Sequence, residues 1–250
     1  MSAPGFVLVT GAAKRVGAVI ARKLAGEGWG VFVHYRASRA EADVIAQSII
    51  ATGGRAEIVQ ADLADPAAAA AMADKLAARG DWVGLVNNAA SFVYDSIDDF
   101  AYAQAEAQLR LNLLAPVYLA RRLKEALAPG ANGFVINIAD QKVLNPNPDY
   151  LSYTLSKLAL AHATGALAMA LAPRVRVNCI AAGLMLPSAG QSPEQFARVH
   201  NQTLTGRGAR AEDLAEAAAY FARAENVTGA LLAVDGGQHL APSARDVMFT

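Results

Sequence analysis

The strongest constraint on the fold is an alternation that runs almost the whole length of the chain. Short apolar, β-branched runs at 6–10, 31–35, 56–60, 84–87, 134–139, 175–180 and 231–235 read as strands. The gaps between them carry apolar residues at helical spacing, over 16–28, 38–52, 65–79, 98–127, 150–171 and 211–224. Strands that alternate with helices pair in parallel, because each crossover returns the chain to the same end of the sheet. The expected architecture is therefore α/β, a doubly wound parallel seven-stranded sheet with helices on both faces. At 250 residues the chain has room for one large domain or two small ones, and the unbroken alternation favours a single domain over 1–250. One stretch departs from it. Between 184 and 205, Pro187, Gly190 and Pro193 interrupt any long element, which predicts a lid over a site, with a short helix at 193–201.

The first strand runs directly into Thr10-Gly11-Ala12-Ala13-Lys14-Arg15-Val16-Gly17, which opens the first helix. Backbone N–H groups at a helix start, aided by the helix dipole, can face a pyrophosphate, so Gly11, Lys14, Arg15, Val16 and Gly17 are candidate phosphate contacts. An ordinary strand-to-helix turn is the plainer alternative. After the second strand the chain reads His34-Tyr35-Arg36-Ala37-Ser38, with no carboxylate to hold a ribose 2′-hydroxyl. Arg36 and Ser38, with Lys14 and Arg15, could instead surround a 2′-phosphate, which favours NADP(H) over NAD(H), and Tyr35 beside them is a further candidate cofactor contact. Asp62 and Leu63, just past the third strand, could flank an adenine, although Asp62 also suits a helix cap.

Composition narrows the partners. The 22 Lys+Arg balance 22 Asp+Glu and no basic run is long, which argues against nucleic acid or a membrane surface and for a small-molecule ligand. Cys179 is the only cysteine and lies in an apolar stretch, so neither a disulfide framework nor a cysteine-based metal site is expected. The first apolar run is too short for a signal-peptide core or a membrane span, and a cytoplasmic location is expected.

Tyr153 and Lys157 stand four apart on a predicted helix and so share a face. A lysine ammonium beside a phenol favours phenolate and would bring the tyrosine toward acid–base work near neutral pH. A solvent-exposed helical pair is the usual alternative for such a spacing. The pair stands in company, however, with the 10–17 loop, Asp62-Leu63, Asn87-Asn88-Ala89 after the fourth strand, Asn112 in a long helix, and Val234-Asp235-Gly236-Gly237 near the end. In that order these motifs resemble the short-chain dehydrogenase/reductase family along essentially the whole chain. The resemblance implies a Rossmann-type fold, with Asn88 and Ala89 beside the cofactor, Gly183 and Leu184 closing over it, and Lys157 on its ribose hydroxyls. It also implies Tyr153 as proton donor, Asn112 in a water relay to Lys157, and a homo-oligomer, commonly a tetramer, built through the long helices.

One position departs from the family pattern. Thirteen residues before the tyrosine, where the family usually has serine, this chain has Asp140. Serine donates a neutral hydrogen bond, whereas a carboxyl group can hold a proton or a charge, so a site that protonates a basic ring nitrogen has a use for it. With Arg15, His34-Tyr35 and Phe92, Asp140 makes the chain resemble the pteridine reductase branch, including dihydromonapterin reductases. That resemblance implies a pterin-like substrate held by Arg15, Phe92, Asp140, Tyr153 and Leu184, and reduction of a C=N bond of a dihydropterin or dihydrofolate-like ring. Phe92 has a plainer reading as a core aromatic, and two other functions stay open: a ketone (for example 3-oxoacyl thioester) reductase, and a non-catalytic NADPH-binding scaffold or sensor. The apolar tail at 241–250 is expected to dock on a neighbouring subunit.

Overall fold

The computed structural model describes residues 5–187, 191–241 and 243–249. Its frame is one parallel sheet of β1 (Phe6–Val9), β2 (Gly30–Tyr35), β3 (Arg55–Gln60), β4 (Trp82–Asn87), β5 (Gly133–Asp140), β6 (Val175–Ala182) and β7 (Leu231–Val234). The spatial order is β3-β2-β1-β4-β5-β6-β7. The chain winds outward from β1 to β3 and then crosses to β4 on the other side of β1. That reversal opens a crevice at the carboxyl ends of β1 and β4, the place where an open α/β sheet binds ligands.

Helices α1 (Arg15–Gly26), α2 (Arg39–Ala51) and α8 (Ala211–Arg223) share one apolar core with one face of the sheet. The other face packs α3 (Pro66–Arg79), α5 (Ala115–Ala126) and α6 (Leu151–Leu171). β1 shows why its sequence is apolar throughout: Val7 and Val9 join the first core, Phe6 and Leu8 the second, and all four are buried. Each such side chain contributes about 1.5–3 kcal/mol of burial free energy. α6 is long and apolar enough to cross a membrane by length and composition alone, yet it packs on β5 and β6 and buries Ser152, Tyr153, Ser156 and Lys157.

One expectation is corrected. The long helix expected over 98–127 begins later, as α4 (Tyr102–Leu109), and reaches α5 through a widened π turn at Arg110–Leu114. The late start follows from Asp99, whose carboxylate accepts from the Ser96 backbone N–H and hydroxyl and so holds a turn before the helix. The π turn follows from Pro116, which has no N–H to give to the Asn112 carbonyl four residues earlier. The described residues of the tail lie on their own chain, where Arg245 and Asp246 find opposite charges at Asp149 and Lys142. The short helix expected at 193–201 is present as α7 (Pro193–His200), started by Ser192 in a reciprocal capping box with Gln195.

Candidate active site

A single cavity of about 1010 Å³ lies over the crevice. It gathers Gly11, Lys14, Arg15, Val16, Gly17, Tyr35, Arg36, Ser38, Asp62, Leu63, Asn88, Ala89, Gly183 and Leu184 with Phe92, Asp140, Tyr153 and Lys157. Sequence reasoning had assigned all of these to one site. Asn112 is the exception. It is fully buried off the cavity, and its side-chain amide donates to the Ser91 carbonyl and the Ser156 hydroxyl while accepting from the Ser91 N–H. Those bonds tie the loop after β4 to α6.

The loop from β1 to α1 is shaped by three contacts. Gly11 adopts φ +64, and a Cβ on Gly17 would stand 2.3 Å from the Gly11 carbonyl and 2.5 Å from the Asn88 amide, so both positions require glycine. Thr10 Oγ1 accepts from the backbone N–H groups of Asn88 and Ala89 and donates to the Val86 carbonyl, locking β1 to β4 at the crevice. On β2, the buried His34 ring accepts from the Gly11 N–H at 3.0 Å. Thr10 and His34 lay inside quoted motifs, but no spacing rule pointed to either as a loop clamp. Arg15 occupies the position where a glycine-rich loop would place its middle glycine, and it takes the left-handed conformation that glycine favours, φ +53. Its guanidinium donates to the Pro187 carbonyl at 3.0 Å, joining the loop to the chain beyond β6.

These features fit a dinucleotide. No side chain caps α1, whose first-turn residues Arg15, Val16 and Gly17 line the cavity, so a phosphate can take the cap's place. Arg36 and Ser38 stand at the end of β2 on the cavity wall. Lys14 pairs there with Glu41 of α2 at 2.6 Å, a competitor for any phosphate that the sequence reading overlooked. Asp62 holds its own turn by accepting from the Ala64 N–H, so the plainer reading of this residue is present alongside its place on the wall.

At the reacting end, the Tyr153 hydroxyl donates to Asp140 Oδ2 at 3.0 Å, and the Lys142 backbone N–H donates to Asp140 Oδ1 at 2.9 Å. Burial raises the Asp140 carboxyl above its ordinary value, against those two hydrogen bonds. The expectation that Lys157 lowers the tyrosine is corrected. Burial first, and then Asp140 whenever it is ionised, push the Tyr153 phenol well above 10, while the Lys157 ammonium lies 5.8 Å from the ring centroid and donates to the Ile138 carbonyl. Burial brings Lys157 itself down to about 8. Burial and an ionised Asp140 both favour a neutral Tyr153 phenol over a poised phenolate.

Phe92 is an exposed wall of the cavity rather than a core aromatic. It stacks on Tyr150 at 4.0 Å between centroids and meets Tyr153 edge-on at 4.7 Å. Tyr150 begins α6 in a left-handed conformation, φ +53, and also contacts Tyr94 and, from the tail, Phe249. The tail closes this end of the cavity with Ser243, Arg245, Asp246 and Val247. Arg245 grips Asp149 with two hydrogen bonds of 2.8 and 2.9 Å. The cavity-lining Gln141 has a buried Oε1 with no partner among the described residues, which leaves an acceptor for a ligand.

Comparison with known proteins agrees with this geometry. A family model described as enoyl-(acyl carrier protein) reductase matches residues 11–239. The crystal structure of FolM alternative dihydrofolate reductase 1 from Brucella canis, complexed with NADP, is 40% identical and superposes with a TM-score of 0.91, covering 98% of each chain. Pteridine reductase 1 of Leishmania tarentolae is 30% identical over 276 residues, covering 93% of this chain and 96% of that protein. A putative ketoacyl reductase of granaticin polyketide synthesis from Streptomyces violaceoruber is 32% identical over 241 residues, covering 93% and 95%.

Proposed function

The chain belongs to the short-chain dehydrogenase/reductase family, and we propose that within it this protein is an NADPH-dependent reductase of a C=N bond in a dihydropterin or dihydrofolate-like ring. The observation that carries the reading is the hydrogen bond between Tyr153 and Asp140 at the aromatic end of the cavity. NADPH, when bound, supplies the hydride to the ring carbon. The protein has to supply a proton to the ring nitrogen.

For that task the pair is well suited. Burial favours an Asp140 that holds a proton. With the ring in place the Tyr153 hydroxyl turns from Asp140 Oδ2 to the nitrogen and gives up its proton, while a protonated Asp140 donates along the same contact to the phenol oxygen, so no phenolate has to persist beside a carboxylate. Reduction of a simple ketone needs only one neutral donor, and an ionised Asp140 at 3.0 Å would oppose the phenolate left behind. Phe92, backed by Tyr150, offers a flat face on which a pterin ring can lie. Gly11, Lys14, Val16, Gly17, Tyr35, Arg36, Ser38, Asp62, Leu63, Asn88, Ala89, Lys157, Gly183 and Leu184 hold NADP(H), and Arg15 adds a contact shared by cofactor and substrate. Of the 184–205 lid, 188–190 lie outside the described residues, and Leu184, Met185, Leu186, Val199 and Gln202 are the parts that cover the cavity.

The ketone reading has one observation in its favour, the similarity to a putative ketoacyl reductase. One assay separates the two. NADPH oxidation is measured with dihydropterins and dihydrofolate beside acetoacetyl thioesters, in wild type, Tyr153→Phe and Asp140→Ser. Tyr153→Phe should abolish turnover. Asp140→Ser should remove pterin turnover while NADPH binding is retained; undiminished pterin turnover in that variant would defeat the assignment. NADPH binding with no turnover of any of these substrates would favour the scaffold alternative.

A further inference from the structure

The tail brings a buried charge to the reacting end of the cavity. Lys142, one turn beyond β5, is 2% exposed and has no solvent to stabilise its ammonium. Its Nζ donates to the Asp149 carbonyl at 2.7 Å and to Asp246 Oδ2 at 3.0 Å. Asp246 is held in turn, its own N–H donating to Asp149 Oδ2 at 2.7 Å. The same Lys142 presents its backbone N–H to Asp140. A hydrogen-bonded chain therefore runs from the tail carboxylate, through the lysine side chain and its backbone, to the carboxyl group beside Tyr153.

We propose that Asp246 is a positioning residue for the reaction: it neutralises Lys142, so that the buried ammonium does not hold Asp140 as a carboxylate, and it seats the turn that aims Asp140 at Tyr153. This rests on the reading of Asp140 as the group that holds the proton. Other charges face Asp140 from each element packed on it. Tyr153 and Lys157 approach from α6, Lys142 from its own turn and Asp246 from the tail. Of these, the two lysines favour the ionised carboxyl and Asp246 opposes it. The neighbouring strand β6 sets Ala182 opposite Asp140 and adds no charge. A neutralised Lys142 keeps the seat of Asp140 without the cation that would empty it of its proton.

The test is a titration of the full-length protein by carbon NMR of its aspartate carboxyl groups, with the Asp140 signal identified by its loss in Asp140→Asn. Asp246→Asn keeps an oxygen for Lys142 but removes the charge, and the Asp140 midpoint should fall by roughly half a pH unit or more. Asp246→Glu should restore it. Lys142→Met should move the midpoint the opposite way, upward, which a merely structural contact would not do and which keeps the test open if Asp246→Asn fails to fold. An unmoved midpoint in folded Asp246→Asn, or in Lys142→Met, overturns the proposal. The readout needs no substrate, so the two readings fail separately. Midpoints that move as stated in a protein that turns over no pterin would sink the proposed function alone. Pterin turnover with unmoved midpoints would sink the tail's role alone. Where both hold, the alkaline limb of the pterin kcat profile should fall with the Asp140 midpoint.

Discussion

Replacing His34 by glutamine tests how the phosphate loop is held. The ring is 2% exposed on β2, and both of its nitrogens are engaged: Nδ1 accepts from the Gly11 N–H, so Nε2 carries the proton and donates to the Ala61 carbonyl at 3.2 Å. Only the neutral ring satisfies both partners. Burial accordingly lowers His34 from 6.5 to about 4. The sign follows from proton counting: between those values the unfolded chain binds a proton that the folded chain refuses, so stability is complete above 6.5 and declines as pH falls toward 4. The gap is worth about 3 kcal/mol by pH 4, of which about 2 kcal/mol is already lost near pH 5. Urea unfolding at about pH 7 and about pH 5 measures it. Wild type should lose about 2 kcal/mol more than His34→Gln over that interval, since the variant has no titrating ring and other acid-sensitive groups are common to both. Glutamine can still donate to Ala61, but it leaves the Gly11 N–H without its acceptor. The KM for NADPH should then rise roughly tenfold with kcat little changed, the size expected for one orphaned buried donor. Equal losses of stability in the two proteins would refute the buried neutral histidine.

Gly17→Ala puts a methyl group against the Gly11 carbonyl and the Asn88 amide; a fall in stability of about 1–3 kcal/mol and a loss of NADPH affinity are expected by thermal unfolding and cofactor titration. Arg36→Ala should raise the KM for NADPH about tenfold and leave that for NADH unchanged, because a 2′-phosphate is the group that arginine would bind. Glu41→Gln should tighten NADPH binding by releasing Lys14 from its ion pair, measured by fluorescence titration. Asp149 is held below its ordinary value by Arg245, so the stability it contributes is present above pH 3.8 and disappears as pH falls through its lower folded value. Asp149→Asn should remove that acid dependence and increase proteolysis of the tail at neutral pH.

The parts of this molecule that were legible in sequence are those governed by local rules. β1 is apolar at every position because it is covered on both faces, and the glycine loop sits where a strand must turn into a helix. The long helix starts later than its apolar spacing suggests because Asp99 closes a turn with Ser96. Its π turn depends on a proline whose missing N–H falls opposite Asn112, an effect that periodicity does not display.

The electrostatics of the site were illegible for a different reason. Spacing puts Tyr153 and Lys157 on one helix face, but the state of a buried phenol depends on what else is buried with it. Here burial itself raises the phenol first, and Asp140, which arrives from β5, adds to it. Asp140 depends in turn on Lys142 and Asp246, 104 residues apart and brought together only by the return of the tail. An apolar tail signals that something will cover it, not what. Its charged pair, Arg245-Asp246, meets an oppositely charged pair of partners, Asp149 and Lys142, and that match sets its position on its own chain. The same contact that closes the cavity thus places a carboxylate whose charge favours the protonated form of Asp140.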